Sequence, residues 1–201
     1  QDSANLFLWD KIFYIKKSGR YALDFALEHL GITAKDPDRL RQHLPEIFAA
    51  VKDTYIYHEL GEIQDATFDR EIWREMIAAF PFSPVEFIAR AVKDLLADTN
   101  QYGTLHHLIQ KRQADGLAFY VAFIDGLAKE FFPQISIAFQ MFVRSGDWRI
   151  IEQAVEEGNR TAQKHTNLLL ELYRDGVKKD NLEGAAAEIQ KRLLGKYIKK
   201  A

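Results

Sequence analysis

Apolar positions recur along the chain at steps of three and four residues, and no stretch shows the two-residue alternation of a half-buried strand. The pattern predicts an all-α protein: a compact multi-helix domain of about eight to ten helices around two buried central helices. Pro45 to Asp65 is the first of these. Ile47, Phe48, Val51 and Tyr55 fill one sector of that helix, and Ala49, Ile56, Leu60 and Ile63 fill the opposite one. A surface helix needs one apolar stripe, so two stripes predict neighbours on both sides. Leu117 to Phe132, apolar almost all round, is the second.

Start and stop signals divide the rest. Leu6 to Lys17 is an aromatic-rich segment, and Tyr21 to Leu30 is stopped by Gly31. Asp36-Pro37 opens a short helix. The chain restarts over Thr67 to Asp69 into a face of Ile72, Trp73, Met76, Ile77 and Phe80. Ser83 and Glu86 make an S-x-x-E capping box with Pro84 at the first helical position, which opens a helix from Pro84 to Ala97. Leu105, Leu108 and Ile109 share a face from which His106 and His107 point outward. Pro133 starts a helix closed by Ser145-Gly146-Asp147, and Trp148 to Tyr173 follows, ended by Gly176. Asp180 and Glu183 open the last helix, which has Ile189, Leu193 and Tyr197 on one side and Lys199-Lys200 at its end. Linkers are short and no repeat stands out, so residues 1–201 read as one α-helical domain; the alternative is a division into 1–80 and 81–201 near Pro81.

Composition narrows the function classes. Hydrophobic residues make up 47% of the 201 residues, enough for a sizeable core. The formal net charge of −2 carries no basic surplus, so nucleic acid is not an expected partner. The absence of cysteine excludes disulfides, thiol catalysis and cysteine-held metals. The longest uncharged run, Phe131 to Val143, has 13 residues where a membrane span needs roughly 20. The segment LFLWDKIFYIKKSGR is interrupted by Asp10 and Lys11 and does not read as a signal peptide. A cytoplasmic chain is the default expectation, and a homo-oligomer stays open.

The candidate chemistry sits at the end of the first central helix. His58, Glu62 and Asp65, at i, i+4 and i+7, continue the sector of Ile47, Val51 and Tyr55. A charge on a core stripe must be paired, hydrated, neutralised or bound to a metal. His165 falls inside the stripe of Ile151, Val155, Gly158, Ala162, Leu169 and Leu172. His58, Glu62 and His165 therefore form a candidate ligand set for a divalent zinc, iron or manganese, with Asp65 as an extra ligand and Glu59 or Glu130 as a catalytic base. The opposing reading is a buried polar network, with Glu62 or Asp65 paired to an arginine such as Arg90 or Arg160. His58-Glu59-Leu60-Gly61-Glu62 matches only the first half of H-E-x-x-H, and no histidine has a glutamate three residues before it, so neither a zinc protease nor a di-iron carboxylate bundle fits. G-x-S-x-G and G-x-G-x-x-G are absent. Two smaller features have bland explanations: Lys16, Lys17 and Arg20 suit a helix C-terminus or a phosphate, and Asp125 suits an ion pair with Lys129. The function expected is a metal-binding protein. The alternatives are a non-enzymatic helical interaction or scaffold protein, or a carrier of an apolar small molecule.

Overall fold

Twelve α-helices and one 3-10 turn follow one another, with no strand, among the described residues of the structure, a computed structural model describing residues 2–33, 36–65 and 69–195. They are α1 (Asp2–Phe13), the 3-10 turn Lys17–Gly19, α2 (Arg20–His29), α3 (Pro37–Gln42), α4 (Leu44–Gln64), α5 (Arg70–Ala79) and α6 (Pro84–Thr99). Then come α7 (Thr104–Lys111), α8 (Ala114–Phe123), α9 (Gly126–Phe131), α10 (Pro133–Ser145), α11 (Trp148–Lys178) and α12 (Leu182–Leu194). The all-α expectation holds: ten of the helices have eight residues or more, and the six-residue α3 and α9 account for the rest. One buried apolar cluster runs from Leu8 to Leu193. No described helix is long and apolar enough to cross a membrane.

Helix α6 is central, with nine buried residues from Val85 to Thr99. Its start follows the capping signal: the Ser83 hydroxyl accepts from the Glu86 N–H at 3.3 Å, and the Phe82 N–H donates to Glu86 Oε2 at 2.6 Å. It packs against both α4 and α11. On α4 Ile47 and Val51 are buried as expected, while Phe48 of the same sector is half-buried and Tyr55 is exposed. The opposite face is not covered: Ala49 is exposed, and Ile56 and Ile63 stand 52% and 60% exposed. Helical periodicity shows that a face is apolar, not that a neighbour covers it.

Other boundaries depart from the sequence reading for local reasons. The expected helix Leu117 to Phe132 breaks after Phe123, because Asp125 is extended and Gly126 takes φ +54°, a left-handed conformation that suits glycine. Asp125 pairs with Lys16 at 3.0 Å rather than with Lys129. Gly176 does not end α11; a side chain there would run into Ala185 Cβ, so glycine lets α12 lie close. Asn181, not Asp180, caps α12 by accepting from the Gly184 N–H at 2.9 Å. His107 is only 8% exposed, stacked 3.5 Å from the Tyr57 ring, where an outward position was expected. Thr67, Tyr197, Lys199 and Lys200 lie outside the described residues.

Candidate metal centre

The seam between α4 and α6 is drawn tight by a small residue and by side chains that donate to α4 carbonyls from the end of α6 and the start of α7. A Cβ on Gly61 would stand 2.1 Å from the carbonyl oxygen of Ala97, so only glycine allows the two helices this approach. Asn100 Nδ2 donates to the Gly61 carbonyl at 3.0 Å, and the Thr104 hydroxyl donates to the Thr54 carbonyl at 2.8 Å. One turn before Gly61, α4 presents His58; one position after it stands Glu62. Facing them from α6 are Asp94 and Asp98, themselves one turn apart, with Lys93 beside them.

His58 Nδ1 lies 2.8 Å from Asp98 Oδ1, and the Tyr120 hydroxyl of α8 donates to Asp98 Oδ2 at 3.0 Å. Both oxygens of the Asp98 carboxylate are thus engaged, and its side chain is 16% exposed. With Nδ1 donating to Asp98, the imidazole turns Nε2 towards Glu62 Oε1 at 3.4 Å and Asp94 Oδ1 at 4.0 Å. His58, Glu62 and Asp94 each offer one ligand atom, all within 4.8 Å of one another. Lys93 Nζ closes on Glu62 Oε1 at 2.5 Å. Beside His58 and Asp94 opens a cleft of about 310 Å³ walled by Phe7, Tyr55, Phe119, Phe123 and Ile124.

Charge is distributed unevenly over these groups. Burial alone would lower the His58 pKa, but the Asp98 hydrogen bond and the charges of Asp98, Asp94 and Glu62 overcome it and push it up to about 9. Burial holds the Asp94 carboxyl above its ordinary range, against the opposing pull of His58 and Lys93. Burial, then Asp98, raises the Tyr120 phenol well above 10, so it remains a donor. A histidine whose pKa is raised on folding contributes stability that is full below pH 6.5 and lost as pH climbs through about 9. Asp94, also raised, acts in the same direction at acidic pH, since its charged form is the disfavoured one. The metal-free chain is therefore expected to lose at most about 3 kcal/mol between pH 6.5 and 9 through His58. Urea unfolding across that range checks it, and His58→Gln should flatten the slope.

The structure brings together His58 and Glu62 of the expected set, and Asp94 stands with them. His165 is elsewhere: on α11, with its ring 5.1 Å from that of Phe131, it is not among the side chains of this group. Asp65 is the C-cap of α4 and lines a different, polar cleft with Asn100 and Gln163. Glu59 is exposed, and Glu130, carried onto α9 by the break at Gly126, is exposed as well. Neither arginine of the opposing reading meets Glu62: Arg90 pairs with Glu86 at 2.8 Å and Arg160 with Glu156 at 3.9 Å. Asp94 and Asp98 were not singled out from sequence. The signal was present, since they repeat the i, i+4 spacing of His58 and Glu62 on a helix rich in apolar residues.

A family model described as "Family of unknown function (DUF6866) C-terminal domain" matches residues 5–195. No curated protein and no solved structure shows significant similarity to the chain.

Proposed function

As the chain belongs to the DUF6866 family, matching its C-terminal domain, and that family's function is unknown, we propose from the site itself that it binds a divalent transition metal through His58 Nε2, Glu62 and Asp94. The observation that supports this best is the spacing of those three atoms. Metal bonds of about 2.1 Å put neighbouring ligand atoms roughly 3.0–3.4 Å apart and opposite ones about 4.2 Å apart. The His58 Nε2 distances of 3.4 and 4.0 Å fall in that range without rearrangement of the helices. One nitrogen and two carboxylates suit manganese, iron or zinc. Asp98 has the place of the outer carboxylate that orients a ligating histidine, with Tyr120 holding it in turn.

Such an ion supplies Lewis acidity and an acidified water. The protein supplies the rest. Asp98 keeps the imidazole turned, the close approach at Gly61 holds the two helices in register, and the aromatic wall takes the apolar part of a small substrate. The charges fit this assignment. Without metal, protonated His58 and Lys93 against Glu62, Asp94 and Asp98 leave one negative charge. A divalent ion that displaces the His58 proton brings the group to zero.

The Lys93–Glu62 pair favours a second reading, in which the cluster is a metal-free network pinning α4 to α6. Metal analysis separates the two. Protein purified without a histidine tag and incubated with manganese or zinc is expected to retain about one equivalent after desalting. Asp94→Asn, at the half-exposed mouth, should reduce that below about a tenth while circular dichroism stays unchanged. Retention below a tenth in the unaltered protein would favour the network.

A further inference from the structure

On the far side of Glu62 from the aromatic cleft lies a second hollow of about 260 Å³ between α4, α5 and α6. Its lining carries three cations, Arg70 and Arg74 from α5 and Lys93 from α6, against two carboxylates, Glu59 and Glu62. Arg70 and Arg74 stand one turn apart, so both guanidinium groups project to the same side of α5. Among the described residues neither has a carboxylate within ion-pair distance.

Glu62 and Lys93 belong to this hollow and to the centre at once. Lys93 is held on Glu62 at 2.5 Å, and the formal charge of the hollow's lining is only +1. Committing Glu62 to a metal relieves Lys93 of that carboxylate and removes one negative charge from the lining, leaving three cations against Glu59. We propose that this hollow is an anion subsite for a phosphate, free or as a monoester, and that metal at the neighbouring centre opens it. The inference rests on the metal reading of His58, Glu62 and Asp94. Paired guanidinium groups at one-turn spacing suit the several oxygens of a phosphate, and Lys93 adds a point charge at the edge nearest the metal. The subsite would place the phosphate next to the ion, with the aromatic cleft on the other side for an apolar ester group.

The test is calorimetric titration of inorganic phosphate, at submillimolar concentration, into the full chain with and without one equivalent of Mn²⁺. Hexyl phosphate is run in parallel. Phosphate is expected to bind at least tenfold more tightly to the manganese-loaded chain. Arg70→Gln combined with Arg74→Gln should abolish that gain while leaving Mn²⁺ affinity within about twofold; both residues are exposed, so the fold is retained. Tighter binding of hexyl phosphate than of inorganic phosphate assigns a monoester, and equal or weaker binding assigns the free ion. If Mn²⁺ binds but phosphate affinity does not change, or the double variant keeps the gain, the subsite is refuted and the metal centre survives. If Mn²⁺ does not bind at all, the metal reading fails and the subsite falls with it.

Discussion

Replacing Asp98 by alanine is expected to lower the unfolding free energy of the metal-free protein by roughly 2–4 kcal/mol, the range for breaking a largely buried charged pair. The same change should bring the His58 pKa down from about 9 to 6.5 or below. Two donors lose their acceptor together, because His58 and the buried Tyr120 hydroxyl share this one carboxylate. The pKa falls because the cause that lowers it, burial, remains, while the Asp98 hydrogen bond and nearest charge that raise it are gone. Asp94 and Glu62 retain part of the upward pull. Asp98→Asn separates charge from packing: it keeps an acceptor and the side-chain volume, so it should lose less stability while still lowering the pKa. Chemical denaturation gives the first quantity and an NMR titration of the His58 ring protons the second. A His58 that still titrates near 9 in Asp98→Ala would show that the dyad does not control the imidazole.

Gly61→Val is expected to cost about 3 kcal/mol or more and to abolish metal retention. Intrinsic propensity points the other way for the smaller change, since glycine inside a helix is about 1 kcal/mol worse than alanine. Sterics win here. A Cβ at residue 61 meets the Ala97 carbonyl oxygen at 2.1 Å and the Ala97 carbonyl carbon at 2.9 Å, and backbone atoms of a packed helix cannot swing aside as a side chain can. The helices must separate, and the His58–Asp98 bond and the Asn100 bond to the Gly61 carbonyl stretch with them. Gly61→Ala should show the same effect at about 1–2 kcal/mol. Thermal unfolding followed by circular dichroism reads the stability, and metal analysis reads the site. A valine variant as stable as the parent would mean that the seam is not set by this contact.

These two sites show what could be read from residues alone. The spacing of His58 and Glu62 placed them on one face because helix geometry is local. So did the Ser83 cap and Pro84, which placed the start of α6. Their partners were not legible, because which helix faces α4, and at what height, is decided by the Gly61–Ala97 approach, a tertiary fact. The spacing of Asp94 and Asp98 puts them on one face of α6, but only that register brings them opposite His58. His165 drew notice for lying on an apolar stripe, but α11 carries it to Phe131 instead. His107 is buried for a similar reason: Tyr57 stacks on it from another helix. The outer face of α4 failed in the opposite sense, since Ile56 and Ile63 have the periodicity of a core and stand exposed. The break at Gly126 falls at an Asp-Gly pair, a turn signal that the apolar residues on both sides outweighed in the reading of one long helix.

The most direct test of the metal centre is an anomalous difference map from crystals of the untagged chain grown with Mn²⁺. The account predicts one strong peak within about 2.0–2.3 Å of His58 Nε2 and of a carboxylate oxygen from each of Glu62 and Asp94, with Nδ1 still on Asp98 and Lys93 turned away from Glu62. A map with no peak there, Lys93 still seated on Glu62 and the His58 ring unchanged, would contradict it.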